Sequence, residues 1–123
     1  MDSHEQSAAA ERLEEARAGS LRLIDALTRQ WDELVAASDM SNADDEHDPE
    51  GATIAFERAR LGDSLLRIRA DLEALDLAAD RLRNGDYWIC ERCAGPIPPA
   101  RLSARPTART CVPCATAGRR APS

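Results

Sequence analysis

Four cysteines stand in the order Cys90-x2-Cys93-x17-Cys111-x2-Cys114, and they are all the cysteines of a 123-residue sequence. Within each Cys-x-x-Cys pair two thiolates can turn back onto one ion. The segment between the pairs is long enough to bring them together as a tetrahedron. Two such pairs at this separation are a strong zinc signature. Four sulfur ligands leave no open coordination position, so the chemistry expected of Cys90, Cys93, Cys111 and Cys114 is structural and not hydrolytic. Two disulfides are the alternative use of these residues, disfavoured in a reducing compartment. No βαβ pattern surrounds either pair, which argues against a thioredoxin-like redox site.

A second group with chemical potential is the stretch NADDEHDPEG, residues 42–51, with four acids between Asp44 and Asp48. Like charges repel, and a connection between helices does not need them. Acids near a helix N-terminus favour its positive end, which accounts for Asp48 and Glu50 but leaves Asp44, Asp45 and Glu46 unexplained. His47 beside Asp45 and Asp48 could bind a cation weakly, but it reads better as a charged turn residue. The only other histidine is His4, near the N-terminus. Nothing in the sequence assembles a catalytic constellation, and no enzymatic activity is expected.

The elements that position these groups are helical. From about Ala8 to Ala37, Leu13, Ala16, Ser20, Ile24, Leu27, Trp31 and Leu34 recur at spacings of three and four, which places them on one stripe. Gly19 and Ser20 interrupt it, at a cost of about 1 kcal/mol for a glycine in a helix interior. The second segment holds a cleaner seam: Ile54, Arg58, Leu61, Leu65, Ile68, Leu72, Leu75, Ala79 and Leu82 alternate spacings of four and three. Asp48-Pro49 suits a helix start and Asn84-Gly85 a helix stop. Neither helix can bury its stripe alone, so the sequence predicts a mostly α protein: a long antiparallel coiled-coil hairpin followed by a small C4 zinc-finger module. The same stripes could pair between chains, but the Pro- and Gly-containing connection favours the hairpin in a monomer. The expected divisions are 1–83 for the N-terminal segment and hairpin, with its acidic tip around 42–51, then 84–115 for the finger and 116–123 for a flexible tail. Arms of about 30 residues would each run roughly 45 Å.

Composition narrows the class. Four aromatics (Trp31, Phe56, Tyr87, Trp88) and 31% charged residues suit paired helices better than a large globular core. No apolar run approaches the roughly 20 residues that span a bilayer, and the acidic N-terminus lacks the plan of a signal peptide. The expectation is a soluble, cytoplasmic protein. Residues 1–83 carry 20 acids and 10 arginines, and residues 84–123 carry two acids and six arginines. A net charge of −6 argues against a coat for nucleic acid. The finger offers Arg101, Arg105 and Arg109 to phosphate but no helix bearing base-reading side chains. Tyr87, Trp88, Ile89, Ile97 and Leu102 form its expected apolar cluster, and Pro96, Pro98, Pro99 and Pro106 stiffen it.

The stretch RLRNGDYWICERCAGPIPPARLSARPTARTCVPC, residues 81–114, resembles the DksA/TraR-type C4 zinc finger. Arg81-Leu82, Gly85, Tyr87, both cysteine pairs, Ile97, Arg101-Leu102, Ala104 and Pro106 fall where that family's pattern has them. With the helical hairpin and its acidic turn, the resemblance covers about residues 10–115. It implies a regulator that binds bacterial RNA polymerase without contacting promoter DNA. The coiled coil would enter the secondary channel, and acidic tip residues would alter open-complex stability. In DksA itself this works together with the alarmone ppGpp, and no ppGpp site is carried over to residues of this sequence. DksA's tip motif, Asp-x-x-Asp-x-Ala, maps its acids onto Asp45 and Asp48, with Glu50 in place of the alanine. Trp88 occupies a position usually held by glycine, and Ala94 another, with Gly95 one residue late. Only nine residues follow Cys114, which leaves room for a short C-terminal helix at most. From other classes, the same sequence is compatible with a zinc-stabilised adaptor docking another partner, or with a thiol or zinc stress sensor using its four cysteines.

Overall fold

The computed structural model describes residues 2–41 and 49–119. The element order is α1 (Ser3–Ser41), α2 (Pro49–Asn84), α3 (Pro99–Ala104) and α4 (Val112–Arg119). Among the described residues the one β feature is an isolated antiparallel bridge between Ile89 and Pro96. The two long helices pack together as a hairpin. The chain divides into two compact units: Met1–Ala18 with Glu73–Ser123, and Gly19–Leu72.

In the Gly19–Leu72 unit, two helices share a single seam. Leu61 and Leu65 are buried, while Ile24, Leu27, Trp31, Leu34, Ile54, Ile68 and Leu72 are half-buried. That graded burial is what a two-helix layer permits, since its flanks face water. These are the residues that the heptad spacing selects. Trp31 packs over Gly62, where an added Cβ would lie 3.5 Å from its ring, an ordinary van der Waals contact. The one polar seam residue, Arg58, places its guanidinium 5.3 Å from the Trp31 ring centroid, a favourable use of a cation at an aromatic face.

In the other unit, the helix ends meet the cysteine-bearing segment, and burial deepens. Ala9, Leu13, Leu75, Ala78 and Leu82 form one cluster with Tyr87, Trp88, Cys90, Ile97 and Leu102. Arg17 Nε donates to Asp76 Oδ1 at 2.9 Å across the helix pair, an exposed contact worth little by itself.

Two helix boundaries differ from the sequence reading. α1 begins at Ser3, five residues before the expected Ala8, because Asp2 caps it: Asp2 Oδ1 accepts from the His4 N–H and the Asp2 carbonyl from the Gln6 N–H, both at 3.0 Å. His4 is an exposed position of this first turn. α1 also runs to Ser41, past Ala37. α2 stops at the expected place. Gly85 takes φ +86°, its N–H reaches the Leu82 carbonyl, and the Asp86 N–H reaches the Arg81 carbonyl at 2.9 Å. Those two bonds are the Schellman arrangement, which needs a residue able to turn left-handed. Residues Thr116–Arg119 of the expected tail complete α4.

Candidate metal centre

Each cysteine pair is presented by its own tight turn. The Ala94 N–H returns to the Cys90 carbonyl and the Ala115 N–H to the Cys111 carbonyl, both at 3.0 Å. The first pair sits at the end of a short ladder, with Ile97 N–H to the Trp88 carbonyl and Cys90 N–H to the Gly95 carbonyl, both 2.8 Å. The ladder alternates its side chains: Trp88 and Cys90 face inward, and Ile89 faces solvent at 44% exposure. Ile89 is thus the one member of the expected apolar cluster that does not join it. The second pair straddles the start of α4, with Cys111 just before Val112 and Cys114 in the first turn. Glu91 N–H bonds the Arg109 carbonyl at 2.9 Å and so ties the two turns together.

The four sulfur atoms lie within 4.8 Å of one another, and Cys93 Sγ and Cys111 Sγ are 3.8 Å apart. A tetrahedral zinc with Zn–S bonds near 2.3 Å requires sulfurs separated by about 3.8 Å. A disulfide requires about 2.05 Å, and all four thiols are free. The donor set therefore fits zinc and excludes the disulfide alternative in this arrangement. Electrostatics already bias the cluster. The Cys93 backbone N–H, with those of Cys111 and Arg92, draws the Cys90 thiol down to about 6. Cys114 moves the other way, to about 12, chiefly because its thiol is hydrogen-bonded to Cys111.

Arginine side chains brace the module from outside. Arg81 spreads its guanidinium over the carbonyls of Asp86, Ile89 and Ala108 at 3.3–3.5 Å. Arg101 Nε donates to the Thr110 carbonyl at 2.7 Å, and Arg92 reaches the Cys114 carbonyl. Arg109 pairs with Glu91 at 3.5 Å. Of the three arginines the sequence offered to phosphate, Arg101 and Arg109 thus have partners within the fold. Sequence reading missed this role, because a carbonyl acceptor leaves no mark in the residue pattern.

Ala94 has φ +61°, the left-handed region, while Gly95 does not. The backbone angle that favours glycine is therefore required at position 94, and Gly95 does not compensate. Gly95 has a reason of its own: a Cβ there would stand 3.3 Å from Cys93 Sγ. Left-handed backbone costs a non-glycine residue about 1–2 kcal/mol, partly offset by the extra freedom glycine loses on folding. Ala94→Gly is expected to raise the stability of the zinc-loaded protein by about 0.5–1 kcal/mol in urea denaturation. Gly95→Ala should lower it, and equal effects at the two positions would refute the assignment.

Fold and cluster together define a helical-hairpin protein with a C4 zinc module. Residues 85–117 match the family of prokaryotic DksA/TraR C4-type zinc fingers. The cofactor is one structural zinc ion. Transcription factor DksA2 from Pseudomonas aeruginosa is similar in fold, with a TM-score of 0.81 and 24% identity over 96% of this chain and 85% of that one. An uncharacterized protein of Aquifex aeolicus (strain VF5) is 46% identical over 46 residues, 37% of this chain and 32% of that protein. The uncharacterized protein YlyA of Bacillus subtilis (strain 168) is 36% identical over 62 residues, 50% of this chain and 48% of YlyA. The matches to these two relatives therefore span a third to a half of their lengths. Asp45 and Asp48, the expected tip acids, lie outside the described residues. Among the described residues no helix is long and apolar enough to cross a membrane.

Proposed function

We propose that this chain is a DksA-like transcription regulator that binds bacterial RNA polymerase through the secondary channel. The observation that carries the reading is a DksA/TraR-type finger joined to the fold of a transcription factor of that name. Cys90, Cys93, Cys111 and Cys114 hold the zinc, which stabilises the module and performs no reaction. The protein is a regulator and not an enzyme, works as a cytoplasmic monomer, and reads no promoter sequence itself. A pair of helices, each about 10–12 Å wide, is slender enough for a channel that excludes a globular domain. Asp45 and Asp48 act at the polymerase active site by charge, on a cation, basic side chains or mobile elements, with ppGpp as a candidate co-regulator.

The test is in vitro transcription with the cognate polymerase, with and without ppGpp. Substituting both aspartates by asparagine is expected to leave polymerase binding intact and abolish the effect on open-complex stability. An unchanged transcriptional effect would remove the tip mechanism. A thiol or zinc sensor is the second reading, favoured by the exposure of Cys93 in the cluster. It requires zinc loss at mild peroxide doses, which a purely structural site resists.

A further inference from the structure

The indole Nε1 of Trp88 donates to Gln6 Oε1 at 2.6 Å across 82 residues of sequence. Trp88 is 6% exposed and belongs to the cluster that buries Ala9 completely and Leu13 almost completely. Its neighbour Cys90 carries one of the four sulfurs, and the Trp88 carbonyl holds the ladder that presents Cys90 and Cys93. The first three turns of α1 thus rest on a residue whose own position depends on the cysteine cluster. The terminal turns of a helix fray at little cost unless tertiary contacts hold them, and at residues 3–13 the buried side chains are Ala9 and Leu13.

We propose that Gln6 and Trp88 form a latch that makes the order of the first turns of α1 depend on zinc. With the metal bound, the ladder fixes Trp88, and the indole fixes Gln6 and the apolar face behind it. Loss of the metal frees the ladder, and residues 3–13 lose their support together with the finger. This rests on the four cysteines holding zinc, and metal content tells a failure of that premise from a failure of the latch.

The experiment is hydrogen exchange on the full chain, zinc-loaded and after chelation, with zinc per chain measured in each sample. Chelation is expected to raise exchange across residues 3–13 in step with residues 87–115. In zinc-loaded Gln6→Ala, exchange at residues 3–13 should rise about fivefold, the effect of one lost neutral hydrogen bond, while zinc content stays at one per chain. Trp88→Phe, which keeps an aromatic ring and removes the N–H donor, should reproduce that rise. Undiminished protection of residues 3–13 in verified zinc-free protein would overturn the latch. So would zinc-loaded Gln6→Ala and Trp88→Phe proteins with wild-type exchange. Absence of zinc from the wild type would overturn the latch together with its premise.

Discussion

Chelating the zinc is expected to unfold the segment from Tyr87 to Cys114, with loss of the near-ultraviolet signals of Tyr87 and Trp88. The module's completely or almost completely buried large side chains are few, Tyr87, Trp88, Ile97 and Leu102, and α3 and α4 are six and eight residues long. Such elements do not hold themselves together, and structural zinc contributes about 10–16 kcal/mol in comparable modules. Cys90→Ser should have the same effect, because three ligands and a hydroxyl bind the ion far less well. Zinc affinity should rise with pH, since Cys114, at about 12 in the metal-free cluster, must lose its proton on binding. Cys90, at about 6, is already a thiolate at neutral pH, so uptake should release fewer than four protons. An unchanged near-ultraviolet spectrum in protein proven free of zinc would refute this account.

Removing the Tyr87 side chain should cost nearly as much as any single substitution outside the cysteines can. Tyr87 is completely buried, packs edge-on to Trp88 with ring centroids 5.1 Å apart at 85°, and donates its hydroxyl to the Pro106 carbonyl at 2.8 Å. It joins the end of α2 to the turn that follows α3. Tyr87→Ala is expected to destabilise the protein by about 3–5 kcal/mol, and Tyr87→Phe by about 1 kcal/mol for the hydrogen bond alone. Urea denaturation of the zinc-loaded forms measures both, and a loss below 1 kcal/mol in the alanine variant would contradict the packing described. Burial raises the Tyr87 pKa above 10, against the smaller opposing pull of Arg12 and Arg81. The folded state therefore keeps this proton longer than the unfolded chain does. Its contribution is complete below pH 10 and fades as pH climbs toward the folded value. Tyr87→Phe should lack that alkaline loss.

Much of this architecture was written in local pattern. The seam from Ile54 to Leu72, half-buried apart from the buried Leu61 and Leu65, and the buried Leu75 and Leu82 follow directly from spacings of three and four. The Schellman stop at Gly85 follows from one dipeptide, and the sulfur cluster from the spacing of two pairs. Ala94 was legible only through the family's pattern, which has glycine where the backbone turns left-handed. The acidic turn is as clear in sequence as the cysteines, yet Asp45 and Asp48 lie outside the described residues, so their role rests on the proposed function.

Local spacing set which residues form the helical seam, where α2 ends and which four sulfur atoms come together, because each depends on near neighbours along the chain. Packing between distant parts of the chain set the burial of Ala9 and Ala78 and brought Trp88 to Gln6. It also decided that Ile89 faces water and that Arg81 and Arg101 serve carbonyls within the finger. The physical reason is the added layer: two paired helices bury one stripe, but where the cysteine module packs on them a second face closes. Its contacts join residues from distant parts of the chain, and no periodicity in either part records them.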